Sequence, residues 1–273
     1  MVRLTFIWHD CFIVETQEAY FIFDYWLDSD GSAAGRPAFL GSIDASRPVY
    51  VLVSHGHKDH YNPAIFEWES LFPDIRYVVS QDVYRRIRHI ISPQSVYSGH
   101  KVSQEKVIPL RRGESHDEGR VKVTAFPSTD IGNSWLVETE GLRIFHAGDL
   151  NAWIRPDQPE AVNKKMLGDF KACLRDLKSY LASQISSDSS VPAIDFAFFP
   201  VDSRIGGDYS SGARMFVREF DVKHFIPMHF DLGDSEERAV RQRDAMNFSL
   251  YANPARGSYL SLNSRPASFS FEK

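Results

Sequence analysis

The sequence predicts an α/β protein folded as a four-layer αββα sandwich, with two mixed β-sheets face to face and helices outside. Three observations predict it. Runs of β-branched and aromatic residues alternate with segments of helical periodicity. Residues 49–54 are apolar almost throughout, the pattern of a strand covered on both faces. The two halves of the chain also repeat one grammar, a meander of strands followed by helices, so each half supplies one sheet and its cover.

In chain order, residues 4–8, 12–15 and 20–23 are short strand candidates with tight turns between them, hence an antiparallel meander ending at Asp24. The buried strand 49–54 follows. Asn62-Pro63 marks a helix start, with Asn as cap and Pro in the first helical position. Residues 75–80 form another strand, and a helix follows over 81–91. The second half gives strands at 121–126, 134–138 and 142–146. A long helix over 159–183 places Met166, Phe170, Leu174 and Leu177 at helical spacing. The polar stretch 186–190 is a loop too short to separate domains. A buried strand at 194–199, a helix at 209–220 and a last buried strand at 224–228 complete the set. At 273 residues the expectation is one domain over 1–273.

Composition narrows the function. Hydrophobic residues make up 43% and aromatics 13%, enough for a large core. The net charge of -5 comes from 31 basic and 36 acidic residues mixed along the chain, which argues against nucleic acid held by bulk electrostatics. The one basic cluster, at residues 84–89, reads as the solvated face of a helix. Two cysteines, Cys11 and Cys173, lie far apart without a CxxC spacing and are expected as buried thiols in a reducing compartment. His9-Asp10 stands where a signal peptide needs an apolar run, and no stretch approaches the roughly 18 apolar residues of a membrane span. The expectation is a cytoplasmic protein that acts on a small molecule, with no nucleic-acid or membrane partner. Oligomeric state is left open.

The chemistry concentrates in His55-Gly56-His57-Lys58-Asp59-His60, directly after the buried strand. Three imidazoles and a carboxylate within six residues suit a borderline-soft divalent ion such as zinc. Alternation across Gly56 lets His55 and His57 point to one side, and glycine allows the backbone to fold tightly around an ion. Asp59 and His60 then face back from the next element and are placed to hold a second ion.

At these residues the chain resembles the metallo-β-lactamase fold superfamily, whose HxHxDH signature supplies ligands to two adjacent metals. Residues 144–149, ending in Gly148-Asp149, resemble the strand whose aspartate bridges the ions. Residues 225–229, ending in His229, resemble the strand that delivers the last histidine. The opening Trp8-His9-Asp10-Cys11-Phe12 is similar to the first hairpin of the branch that includes the L-ascorbate-6-phosphate lactonases. The resemblance implies one ion on His55, His57 and Asp149, and a neighbour on Asp59, His60, Asp149 and His229. There is one departure. The family's further histidine for the first ion is absent from residues 126–134, where Asp130 is the only ionised ligand and Thr129 the alternative by spacing. The ions are expected to be zinc, or manganese or iron, one or two in number.

Other residues are weighed around this motif. His9 lies in a turn that can overhang the site as a substrate contact. Asn151 and Trp153, just past Asp149, are candidates for the pocket wall, as are Trp26 and Asp28. Asp202 can support a metal-bound histidine, and Arg204 can pair with a substrate carboxylate or phosphate. His146 reads as a packed strand residue, and His224 as structural on the strand face opposite His229. The functional expectation is a metal-dependent hydrolase in which a metal-bound hydroxide cleaves an ester, lactone or phosphodiester, with Asp59 and His60 as catalytic residues. The alternatives are a non-catalytic or degenerate metal-binding protein and a redox di-iron protein on the same fold.

Overall fold

A computed structural model describes residues 1–33, 35–184, 193–230, 235–250 and 257–272. The polar stretch 186–190 lies outside them. The chain divides into two compact units, the first made of Met1–Arg111 with Ser264–Lys273, the second of Arg112–Asn263.

The first unit is built on a seven-stranded sheet. Its strands β1 (Val2–Trp8), β2 (Cys11–Glu15) and β3 (Tyr20–Phe23) run antiparallel through tight turns, the meander expected from the alternation of residues there. Strands β4 (Val49–Val53), β5 (Ile75–Ser80) and β6 (Val107–Leu110) then continue in parallel from β3. Parallel neighbours need crossover connections. The β3–β4 crossover holds the 3-10 helix Ala38–Ser42. The β4–β5 crossover holds the 3-10 helix Pro63–Ser70, where the Asn62 side chain accepts from Ala64 N as the cap signal predicts. The β5–β6 crossover carries α1 (Gln81–Ile91). Val51, Val53, Tyr77 and Val79 of the sheet pack with Ile65, Trp68, Val83 and Ile87 of these connections in one apolar cluster. The basic stretch of α1 lies on its exposed side at Arg85, Arg88 and His89.

Local pattern did not anticipate the outermost strand. The C-terminal β14 (Ala267–Phe271) returns to pair antiparallel with β1, from Val2↔Phe271 to Phe6↔Ala267. It thereby covers the β1 edge of the sheet, which otherwise exposes a row of unpaired backbone groups.

The second unit repeats the plan in the order β13-β12-β11-β10-β9-β8-β7. Strands β7 (Ser115–Asp117), β8 (Val121–Pro127), β9 (Asn133–Thr139) and β10 (Leu142–His146) form the antiparallel meander. Between β9 and β10, Glu140 and Gly141 both take positive φ (51° and 77°), as a two-residue hairpin turn requires. Strands β11 (Ala193–Pro200), β12 (Asp221–Met228) and β13 (Ser258–Tyr259) extend the sheet in parallel. Their crossovers hold α2 (Glu160–Ser183), α3 (Ser211–Glu219) and α4 (Glu236–Asn247). The buried stripe of α2 is Phe170, Cys173, Leu174, Leu177 and Leu181, a spacing of three and four. Among the described residues no helix is long and apolar enough to cross a membrane.

The β14 pairing yields a test. A chain ending at Asn263 should melt lower by at least about 5 °C, the shift that a loss of roughly 2 kcal/mol gives a chain of this size. It should also scatter light at concentrations where the full chain does not, because the β1 edge is open. An unchanged melting temperature would show that β14 is an ornament on the sheet.

Candidate metal centre

One cluster of candidate ligands lies at the carboxyl ends of β3 and β4 in the first unit, where open α/β sheets present ligands. His55 leaves β4 fully buried, and its Nε2 lies 3.0 Å from Nδ1 of the exposed His57. His60 N–H donates to His57 O at 3.2 Å and closes the turn. Gly56 is gripped from both sides by α1. Its N–H donates to Asp82 Oδ2 at 2.7 Å, and its carbonyl accepts from the Arg86 guanidinium. A Cβ on Gly56 would stand 2.7 Å from that guanidinium, so glycine is the residue that fits without displacing Arg86.

Hydrogen bonds on the far side of each ring set the tautomers. Asp24, fully buried at the end of β3, accepts from Ser54 N at 2.7 Å and from Ser54 Oγ at 2.6 Å. Ser54 Oγ, its proton committed to Asp24, accepts in turn from His55 Nδ1–H at 3.0 Å. Asp24 Oδ2 also accepts from His60 Nδ1–H at 2.9 Å. Both imidazoles are left with Nε2 as a lone-pair donor. One buried carboxylate thus orients two candidate ligands, one of them through a hydroxyl.

The β1–β2 turn brings two more side chains. Trp8 pairs with Cys11, so His9-Asp10 is a two-residue loop, with His9 at φ 52°. Both are buried, at 2% and 0% exposure. His9 Nε2 lies 3.6 Å from Asp59 Oδ2, and its ring stands edge-on to Trp26 and to His60. Atoms of His9, Asp59 and His60 lie within 4.8 Å of one another. Asp10 Oδ2 is 3.2 Å from His60 Nδ1. Asp28, a candidate for the pocket wall, instead accepts from Ser29 N and Ala38 N and holds its own loop.

The second unit has a cluster organised in the same way at the ends of β10 and β12. His146 packs against Phe198, and its Nδ1 accepts from Gly148 N at 3.2 Å, which shapes the turn into Asp149. His229 follows β12 at φ 66° and sets its Nε2 3.1 Å from Asp149 Oδ1. Its Nδ1–H donates to Asp202 Oδ2 at 2.9 Å. Burial pushes the Asp202 carboxyl up, but hydrogen bonds from His229 and Arg204 outweigh it and hold the group well below the usual carboxylate range. Arg204 Nε donates to both Asp202 oxygens, at 2.9 and 3.0 Å, while its side chain remains 42% exposed. Trp153, at φ 23°, donates from Nε1 to Asp149 O at 2.7 Å and sets its ring 5.3 Å from that of His229. His224, by contrast, stacks on Phe196 and bonds Ser258.

The stretch lacking the family histidine has a defined geometry. Thr129 Oγ1 donates to Asn151 O at 2.7 Å and accepts from Asn151 N at 3.0 Å, so its hydroxyl is committed to the backbone. Asp130 and Asp149 offer carboxylate oxygens within 4.8 Å of each other. Asn151 turns its Oδ1 to Ala152 N and lies against Gly212 of α3.

The donor chemistry fits a divalent ion. With metal–nitrogen bonds of about 2.0–2.1 Å, two ligands on a tetrahedral ion stand about 3.3 Å apart. The His55–His57 and His229–Asp149 pairs, at 3.0 and 3.1 Å, are close to that edge length. Four of the five described non-glycine residues with positive φ are His9, Asp24, Trp153 and His229. Unfavourable backbone conformations are therefore concentrated here. Sequence reasoning passed over Asp10, Ser54, Asp82 and Arg86. Asp24, noted only as a strand end, carried a usable signal, a lone carboxylate closing an all-buried strand.

Comparison with known proteins identifies the family. The β-lactamase superfamily domain matches residues 3–165. A UPF0173 metal-dependent hydrolase from Carboxydothermus hydrogenoformans is 27% identical over 240 residues, covering 84% of this chain and 85% of that protein. Among solved structures, Igni18, a metallo hydrolase from Ignicoccus hospitalis, aligns with a TM-score of 0.58 at 14% identity, over 99% of each chain. CmlA, a diiron β-hydroxylase from Streptomyces venezuelae, gives 0.58 at 14% identity, over 99% of this chain and 54% of that one. These two likenesses speak for the fold alone. With the domain match spanning more than half of its residues, this chain belongs to the metallo-β-lactamase superfamily of metal-dependent hydrolases.

Proposed function

We propose that the whole chain works as one catalytic domain that hydrolyses an ester, lactone or phosphodiester of a small molecule. The observation that carries this reading is that Nδ1 of three histidines is engaged on the protein side. Ser54 Oγ lies against Nδ1 of His55, Asp24 against that of His60, and Asp202, with Arg204 Nη2 at 3.1 Å, against that of His229. With Nδ1–H directed at these oxygen acceptors, Nε2 of each ring keeps its lone pair. That is the arrangement of metal-ligating imidazoles with their outer partners. From the order of the motifs, one ion takes His55, His57, Asp149 and Asp130, and the other takes Asp59, His60, Asp149 and His229. Each set offers two imidazole nitrogens and two carboxylates, a donor mix that zinc takes and with which manganese or iron is compatible.

When bound, the ion supplies Lewis acidity and lowers the pKa of water at neutral pH. The chain's own residues supply the rest. Asp59, with its side chain 35% exposed, orients the attacking water and accepts its proton. His9, 3.6 Å away, shares that proton or contacts the substrate oxygen. Trp153 and Asn151 line the substrate's path. The exposed guanidinium of Arg204, braced on Asp202, meets a carboxylate or phosphate of the substrate. The lactonase-like opening hairpin and Arg204 favour a lactone or phosphoester. Both cysteines are free and buried, which suits a reducing, cytoplasmic setting.

Three outcomes test the reading. Prolonged chelation should abolish hydrolysis in a screen of lactones and phosphodiesters, and zinc or manganese should restore it. Full activity in protein shown to be metal-free removes the mechanism, and a coloured, iron-loaded protein inert on every ester points to the redox alternative. Asp59→Ala should lower kcat by at least about a hundredfold, the scale for a lost acid–base or electrostatic group, and His9→Ala by less. A fully active Asp59→Ala enzyme would falsify the role of Asp59. In metal titrations, Asp130→Ala should weaken one of the two uptake steps and leave the other. Two unaltered steps would return the departure from the family pattern to an open question of ligand identity.

A further inference from the structure

We propose that Asp10 is a positioning residue for His60, gripping it jointly with Asp24, and that it tightens metal binding while lowering the stability of the metal-free protein. The inference rests on His60 being a metal ligand.

Two-residue hairpin loops ordinarily turn their side chains to solvent. Here Asp10 is 0% exposed and its Oδ2 lies 3.2 Å from His60 Nδ1. The same Nδ1–H already donates to Asp24 Oδ2 at 2.9 Å. Asp24 suffices to set the tautomer, and it is further anchored by Ser54 N and Ser54 Oγ. Asp10 therefore adds something other than the tautomer. A second carboxylate 3.2 Å from the same nitrogen, in ion-pair rather than hydrogen-bond geometry, adds negative charge beside the ring and raises the basicity of Nε2, the atom left for the ion.

The arrangement has a physical cost. Two buried carboxylates converge on one shared donor, and without a cation that concentration of negative charge is unfavourable. A divalent ion on Nε2 would polarise the ring and strengthen both the hydrogen bond to Asp24 and the attraction to Asp10. Metal affinity and metal-free stability are therefore coupled with opposite signs through Asp10. A turn-forming role predicts something else. Asn serves a turn as well as Asp, so Asp10→Asn keeps the turn chemistry and removes only the charge.

The test uses full-length wild type, Asp10→Asn and Asp24→Asn, each stripped of metal. Each is titrated with zinc and with manganese, and each is melted in the metal-free form. Asp10→Asn should bind about 10–100-fold more weakly, the usual effect of losing such a partner, with a metal-free Tm equal to or above wild type. Asp24→Asn should lose both affinity and Tm, because Ser54 loses its acceptor as well. Affinity of Asp10→Asn within about threefold of wild type, well below the usual effect of such a partner, overturns the proposal. So does a weaker affinity accompanied by a lowered Tm, which is the behaviour of a structural turn residue. Failure of wild type itself to take up either metal overturns the proposed function. Wild-type binding matched by Asp10→Asn overturns this inference alone.

Discussion

An imidazole has two nitrogens, and it serves a metal only if one keeps its lone pair in a fixed direction. Much of the candidate centre can be traced to that requirement. Asp24 meets it for His55 and His60 together, directly for one and through Ser54 Oγ for the other. Asp202 meets it for His229. Each carboxylate is buried, a placement that is costly unless its oxygens are filled by donors. Ser54 N, Ser54 Oγ and His60 supply them for Asp24, and Arg204 with His229 supplies them for Asp202. The networks are satisfied on the protein side and aim their remaining capacity at Nε2.

The sheets exist in a form that can hold such networks. Neighbouring parallel strands end on the same side of the sheet, so side chains just beyond β4 and β12 are presented by strand ends that are fully buried. Helix α1 continues the support by clamping Gly56 at both its N–H and its carbonyl. The backbone takes positive φ at His9, Asp24, Trp153 and His229. Such strain persists only where surrounding packing over-determines it, and for Asp24 the fully buried strands β3 and β4 provide that packing.

The stretch 128–130 illustrates how a site tolerates a missing ligand. Thr129 is drawn into the Asn151 backbone, which removes its hydroxyl from contention. Asp130 remains with a carboxylate oxygen near that of Asp149. In the proposed ligand set, exchange of a neutral nitrogen for a second anionic oxygen would make the position harder in the sense of metal preference. It also places more negative charge beside Asp149, which an ion of higher charge density offsets better.

Much of this was legible from local pattern. The strands at 20–23, 75–80 and 142–146 are written as short apolar runs, because nearly every residue in them is buried, and the helix at 81–91 as buried residues three and four apart. The histidine motif is legible for a similar reason, since its ligands are neighbours in sequence. Strand β14 is not, because its residues Ala267–Phe271 gain their structure only by pairing with β1 across the length of the chain. Short, half-exposed elements such as β7 and α4 carry too little apolar periodicity to announce themselves. The outer partners of the ligands are hidden for the same physical reason as β14. Asp10 and Asp24 are ordinary turn and strand-end residues in sequence, and Ser54 and Arg86 are unremarked neighbours. The sequence by itself determined which residues are able to bind a metal, because ligand chemistry belongs to the side chain. Only the tertiary structure decided which nitrogen of each ring is offered, because that depends on hydrogen bonds between residues brought together by folding.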